Sequence, residues 1–530
     1  MKKVLTIITS MFLVITAPLS MVSCGVNEIP DSRPLNWYTP YNSKNGGPNV
    51  FANDACSILW DEEKGLFYSW MLFRDNKSST SGWIEMTSPD LNVWTQGDYR
   101  IKPGKHFDRK SIFGNTAAFG GSVWVDNEGK FFDPGDVVFV ITMKNGMVIP
   151  LDKESKEKDM TLNKSGIAYF VSHGLGNEIY TSGVLSKDNM NKDGSGNWRD
   201  TAVFQTDDGV YFAISANNRL EFWRINNFGN KPGDIGKEKI TKVNEIFVRN
   251  LGVEVPNVVR IEKNLWYVSA SVQDNPFKGP YQSAWWTLCE WDKEKGFIPV
   301  KKNDAGNFEE IENIRTVAAA LEIEKEQPQN KVIDWNLSEK YKNMIDIWTP
   351  NEYGTEGYAQ RVVDPYQTQH NANGKYAHFL IARSMSHNWA YNTNILPWKG
   401  GLFGSEKIEF TNGNLTKFTP YDKFGAYSNN GTAVYSLKGS DFIKPYDMYF
   451  NDELFSFYSK DGIIKWNNQV STKLKKWTTE GGNVDNEDDI KIVWNRTTLT
   501  FWNETKGWNA HFMLPQGTTH KVKSGAMSII

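Results

Sequence analysis

An all-β protein, built as propeller-like repeats of short sheets followed by a C-terminal β-sandwich, is the fold class this sequence predicts. Helical periodicity, with apolar residues three and four apart, is nearly absent along the chain. In its place short aromatic or alternating runs recur, each closed by Gly, Asn or Asp, the residues that turn a chain back on itself. The runs also repeat a theme: a turn, an aromatic strand, then a strand ending in a tryptophan such as Trp94. Repeats of that kind fit the blades of a propeller better than one sandwich.

Taken in order, the clearest strands are Gly65 to Trp70, Asp136 to Ile141, Val210 to Ile214 and Leu265 to Ser269. The stretch from Glu309 to Tyr341 is charged and poorer in aromatics, which predicts a helix or an insertion there. From Ser405 the blade rhythm fades while strands continue, as in Ile490 to Trp494 and Leu499 to Trp502. The expected division is a propeller over 35–404 and a sandwich over 405–530.

The N-terminus has a different character. Lys2 and Lys3 precede an apolar run from Val4 to Leu19, which closes on Met21-Val22-Ser23-Cys24. That layout predicts a secretory signal peptide over 1–23. The apolar run is short for a membrane span of about 20 residues. A cysteine directly after the cut resembles a bacterial lipobox, which makes Cys24 the lipidation site and 24–34 a linker to the outer face of the membrane.

Composition narrows the function classes. The formal charge is −3 from 59 basic and 62 acidic residues. Removing Lys2 and Lys3 leaves −5. A mildly acidic chain lacks the electrostatic footprint of a nucleic-acid binder. With Cys24 assigned to lipid, Cys56 and Cys289 remain, too few for a disulfide framework. The seven histidines are scattered, with no paired-ligand spacing, so no metal site or cofactor is predicted. A polar run, Asn189 to Gly194, has a calcium-loop look, but it lacks the leading Asp, the terminal Glu and the flanking helices. Cys56 follows Asp54 by two residues with no histidine near it in sequence, so it reads as buried filler rather than a nucleophile. The 21 Trp, 21 Tyr and 30 Phe mostly fill sheet cores, although aromatic faces are also what sugars stack on.

Three acids stand at the margins of apolar strands. They occur in Asn53-Asp54-Ala55, in Arg199-Asp200-Thr201, and in Glu254-Val255-Pro256-Asn257. Singly, each is the sort of turn or strand-end acid that water or a cap accounts for. As an ordered set the motifs resemble glycoside hydrolase family 32, the invertases, levanases and inulinases. Asn53-Asp54 is similar to part of that family's Trp-Met-Asn-Asp-Pro-Asn-Gly, Arg199-Asp200 to its Arg-Asp-Pro, and Glu254 to Asn257 to its Glu-Cys-Pro-Asp. The run from Trp83 to Trp94 and Phe119-Gly120-Gly121-Ser122 resemble further landmarks, as do Gly357-Tyr358-Ala359 and Asn388 to Tyr391 late in the chain. The likeness spans roughly residues 35 to 410. Departures fall on neighbours of the acids: Phe51, Ala52, Ala55, Thr201, Val255 and Asn257 replace the family's residues.

The resemblance implies a five-bladed propeller with a C-terminal sandwich and cleavage of β-fructosyl bonds in sucrose or fructans. It implies Asp54 as nucleophile, Glu254 as general acid and then base, and Asp200 as the carboxylate that holds sugar hydroxyls. It also puts Asn53, Trp83, Phe119, Ser122 and Arg199 at the sugar, with Arg199 fixing Asp200. The chemistry needs these types. A glycosidic bond breaks through an oxocarbenium-like state, so one carboxyl protonates the departing oxygen while a second attacks the anomeric carbon, the pair about 5–5.5 Å apart in retaining enzymes. Close carboxylates resist double ionisation, and apolar Val253 and Val255 suit Glu254 for carrying the proton. Two rival readings share the fold: a surface sugar-binding lipoprotein or adhesin without catalysis, and a hydrolase of arabinosyl or xylosyl bonds.

Overall fold

Strands make up nearly every described element, with a single α-helix among the described residues. The computed structural model describes most of residues 51–350 and, beyond them, strands at 37–38 and between 360 and 522. Side chains are described mainly within 55–348, together with Arg361 and parts of 437–490. The signal, Cys24, the linker and the Asn189 to Gly194 run lie outside these residues, as do the motifs at 353–359 and 388–399.

Five antiparallel sheets follow in chain order. Sheet I holds Phe51–Asp61, Leu66–Arg74, Gly82–Ser88 and Thr95–Ile101. Sheet II holds Ala118–Asp126, Asp136–Met143, Gly166–Ser172 and Ile179–Ser186. Sheet III runs from Trp198–Thr206 through Gly209–Ala216 and Arg219–Ile225 to Ile240–Phe247. Sheet IV starts with Val253–Glu262, Leu265–Gln273, Gln282–Asp292 and Gly296–Lys302. Sheet V contains Gln360–Val363, Tyr376–Ser384, Gly400–Thr411 and Asn414–Pro420, and takes Trp37–Tyr38 from the N-terminal side. The leading strand of each sheet packs against the leading strand of the next, and that of sheet V returns to that of sheet I. Five inner strands therefore close a ring.

Local chemistry explains the hairpins. Gly65 turns sheet I's first hairpin at φ 64°, a conformation cheap only without a Cβ. Asn217, at φ 58°, opens the two-residue turn between the second and third strands of sheet III. The strand Gly400–Thr411 is continuous across the expected boundary at residue 405, and Asn414–Pro420 pairs with it. Residues 405–420 thus belong to sheet V. Two more antiparallel sheets follow, one starting at Thr432–Lys438 and one containing Tyr446–Phe450. The charged stretch predicted to hold a helix does so over Val317–Glu326. Thr316 caps it by accepting from the Ala319 N–H, and Ala319, Ala320 and Ile323 are buried beside Phe247 and Trp335. No described helix is long and apolar enough to cross a membrane.

The core is layered between sheets rather than gathered at one centre. Trp70, Trp83 and Phe139 pack sheet I on sheet II, Trp124, Trp198 and Phe212 pack II on III, and Phe204, Trp266 and Trp285 pack III on IV. A sheet covered on both faces needs apolar residues at successive positions, which is why Asp136–Met143 is buried throughout. No disulfide involves Cys56 or Cys289, and both are fully buried in these layers, the filler role expected of Cys56.

His106 is buried against Phe170 of sheet II. Its Nδ1 accepts from the Lys102 N–H at 2.9 Å, and its Nε2 has no hydrogen-bond partner. Burial, aided by Lys105, pushes its pKa down to about 4 from 6.5. The unfolded chain thus takes up a proton that the folded one refuses. Its stabilising contribution, on the order of 3 kcal/mol, is present above pH 6.5 and lost as pH falls toward 4. Urea unfolding at pH 7 and pH 4.5 measures that loss. His106→Asn, which keeps an acceptor but cannot titrate, should flatten this part of the profile.

Candidate active site

All three predicted acids lie at interruptions of the inner strands. In sheet I the ladder steps from Ala52–Phe73 to Ala55–Met71, leaving Asn53 and Asp54 in a bulge. Their side chains lie outside the described residues. In sheet III it steps from Arg199–Ser215 to Thr201–Ile214, leaving Asp200 out of register at φ 62°. In sheet IV it passes from Glu254–Ser271 to Asn257–Ser269, leaving Val255 and Pro256 unpaired. A bulge bends a strand and re-aims its side chain, a common device beside active sites. Val255 sits at φ 47°, a strained conformation for a β-branched residue, with a typical cost of about 1–3 kcal/mol.

The two described acids share one cluster. Asp200 and Glu254 are 3% and 8% exposed. The Asp200 N–H donates to Thr142 Oγ1 at 3.0 Å, and its carboxylate Oδ2 accepts from the Val255 N–H at 3.3 Å. That bond ties the Asp200 carboxylate to the strained residue directly after Glu254. Arg199 ion-pairs through Nη2 with Glu254 Oε1, while its Nε stands 3.8 Å from Asp200 Oδ2. This corrects the expected role: Arg199 pairs first with Glu254 and only at longer range with Asp200. The guanidinium lies 5.8 Å from the Phe119 ring centroid, close enough for a cation–π contact. Trp198, one residue before, is anchored through its indole N–H to Glu221, which is fully buried and also holds Trp223, Arg219 and Lys242.

Gly120 leaves the space that Asp200 occupies. A Cβ there would stand 2.7 Å from Asp200 Oδ1 and 3.1 Å from Cγ. Gly120→Ala should push the carboxylate off the Val255 N–H and lower kcat/KM about 10- to 100-fold at an unchanged melting temperature. Initial-rate kinetics and a thermal melt check both halves, and wild-type kinetics would show that the carboxylate is not held there.

Two further candidates have different roles from those expected. Trp83 is fully buried, donates its indole N–H to the Phe119 carbonyl at 3.0 Å and packs on Phe139, so it offers no face to a sugar. Ser122 is buried, and its hydroxyl oxygen accepts the Val203 N–H at 2.7 Å, bracing sheet II against sheet III. Both readings fail for one reason: each residue stands in the right strand, but its side chain points between sheets. Asp133, Asp136 and His173 also come together, a grouping too dispersed to see in sequence. The Asp136 carboxylate there already binds His173, Tyr180 and the Asp133 N–H, the pattern of a tied turn.

Sequence reasoning missed Arg361. It is 3% exposed in the inner strand of sheet V. Its Nε donates to the Ala55 carbonyl at 2.6 Å, Nη1 to the Pro256 carbonyl at 2.7 Å, and Nη2 to the Gly121 carbonyl at 3.1 Å. A lone Arg between Gln360 and Val362 was the only local signal, and it reads as an ordinary surface residue.

Glycoside hydrolysis needs carboxylates gathered at one place, and the bulges of the inner strands bring Asp200 and Glu254 into one cluster. The family model for the glycosyl hydrolases family 32 N-terminal domain matches residues 48–362. The chain belongs to glycoside hydrolase family 32 and is a glycosidase. The fold is similar to that of solved structures at low identity. Sucrose-6-phosphate hydrolase from Lactobacillus gasseri aligns at a TM-score of 0.51 and 12% identity, over 93% of this chain and 92% of that one. An exo-inulinase from Aspergillus awamori aligns at 0.50 and 14%, over 93% and 99%. A fructofuranosidase from Schwanniomyces occidentalis, complexed with fructose, aligns at 0.50 and 12%, over 93% and 95%. No curated protein sequence matches the chain.

Proposed function

We propose that this protein hydrolyses β-fructosyl bonds of sucrose or fructans with retention at the anomeric carbon. One observation carries the reading: Asp200 and Glu254, predicted as members of one catalytic set, share a buried cluster in which Asp200 is bonded to the residue after Glu254. Fructose, sucrose-phosphate and inulin figure in the names of the similar structures, which supports a fructosyl substrate. The closed ring of inner strands supports a five-bladed propeller. The two sheets after Pro420 support a C-terminal sandwich, with the boundary near 420 rather than 405.

In the proposed reaction the Asp54 carboxylate attacks the anomeric carbon as the bond to the leaving sugar breaks, and Glu254 gives its proton to the departing oxygen. Water then attacks the fructosyl–Asp54 ester, returns a proton to Glu254 and frees Asp54. Asp200 accepts hydrogen bonds from fructosyl hydroxyls, which strengthen as positive charge develops. Arg199 has to leave Glu254 before that carboxyl can donate a proton, and incoming sugar hydroxyls are the groups that displace it. We also infer export and lipid anchoring through Cys24 to the outer face of the membrane.

The test is free fructose measured after incubation with sucrose, inulin and levan. Release from at least one is expected. Binding without release supports the adhesin reading, and pentose released from arabinosides or xylosides supports the other. For the anchor, the mature protein should partition into detergent and Cys24→Ser should not. A wild-type protein found only in the aqueous phase rules the anchor out.

A further inference from the structure

We infer that Arg361 is the positioning residue that holds two acid-bearing bulges, those of Asp54 and Glu254, and the sheet II bulge against which Asp200 lies in one arrangement, an inference that rests on the hydrolase reading. Each of its acceptors neighbours the chemistry. Ala55 directly follows Asp54, Pro256 comes two residues after Glu254, and Gly121 follows Gly120, against which the Asp200 carboxylate lies.

The acceptors also share a local property. All three carbonyls fall where the register breaks: on both sides of Ala55, between Glu254 and Asn257, and between Ala118 and Gly121. A bulge takes carbonyls out of the ladder, and buried carbonyls need a donor from elsewhere. A guanidinium is the one side chain whose planar, rigid fork can serve three carbonyls from three strands at once. Asn257 Oδ1, 3.5 Å from Nη1, adds a longer contact from sheet IV.

The geometry separates this role from catalysis. Arg361 is buried below the bulges and borders a cavity of about 40 Å³ with Ser57, Ser122 and Asn257, room for two or three waters. It acts on the acids through the backbone beside them. A Lys in its place keeps the charge but presents a point of donors rather than a fork, so it cannot hold all three carbonyls in their present directions. A shift of about 1 Å between nucleophile and acid is enough to cost about 100-fold in rate.

The experiment compares wild type, Arg361→Lys and Arg361→Gln on sucrose or the best fructan, with kcat, KM, the pH profile of kcat/KM and a thermal melt for each. The expected result is a folded Arg361→Lys protein with kcat down about 100-fold, KM within about threefold, and a pH optimum displaced because the spacing of the carboxyls has changed. Arg361→Gln should fall at least as far, and it replaces Lys in the comparison if only it folds. A folded variant with wild-type kcat and pH profile overturns the proposal. So does activity that falls only with the folded fraction, or failure of both variants to fold, since each assigns Arg361 to the fold alone. Wild type that releases no fructose defeats the hydrolase reading and the proposal with it, whereas an active wild type with an unaffected variant defeats the proposal alone.

Discussion

Asp54→Asn is expected to lower kcat on sucrose by at least about 10⁴-fold, with a melting temperature within a few degrees of wild type. Asn has nearly the same shape as Asp, and the strand continues past it through regular pairing from Ser57 to Asp61, so the scaffold has little reason to respond. The chemistry does. An amide cannot form the fructosyl ester, and no other described carboxylate lies on that strand's bulge. Initial rates of fructose release at saturating sucrose are the measurement. More than about 1% residual kcat in a folded variant would remove Asp54 from the nucleophile's role.

Glu254→Gln should cost about 10²- to 10⁴-fold on sucrose, the usual share of a general acid. Its signature is dependence on the leaving group. An aryl fructoside that departs as a stable phenolate needs no proton, so cleavage to the covalent intermediate should be nearly normal, and turnover should then stall for want of a base. Burst kinetics with such a substrate distinguish this from simple misfolding. Equal losses on both substrates would mean that Glu254 is not the proton donor.

The acids stand out in the sequence because each sits in a short run with a neighbour that also matches: Asn53 before Asp54, Arg199 before Asp200, Pro256 after Glu254. The all-β class was legible because aromatic strands and Gly or Asn turns are local signals. Side-chain direction was not. The family resemblance of their segments puts Trp83 and Ser122 at the sugar, and a strand alternates its faces, so a matching segment still hides half its side chains between sheets. Arg199 was assigned to its sequence neighbour Asp200, yet the closer charge came from another sheet. Arg361 was invisible for a stronger reason. Its partners are backbone carbonyls, which every residue carries, so no choice of residue type marks them.

The partners of Arg361 also lie far away along the chain, with Ala55 306 positions earlier, Gly121 240 and Pro256 105. This separation has a consequence for the order of assembly. A growing chain has exposed all three acids once residue 254 is out, but the clamp across the strands of sheets I, II and IV arrives only with residue 361. Contacts so distant in sequence form late and slowly. A fragment cut between those points would keep every residue of the reaction and lack the means to align them. During synthesis, the protein should therefore stay silent toward its substrate until its fifth sheet closes the circle.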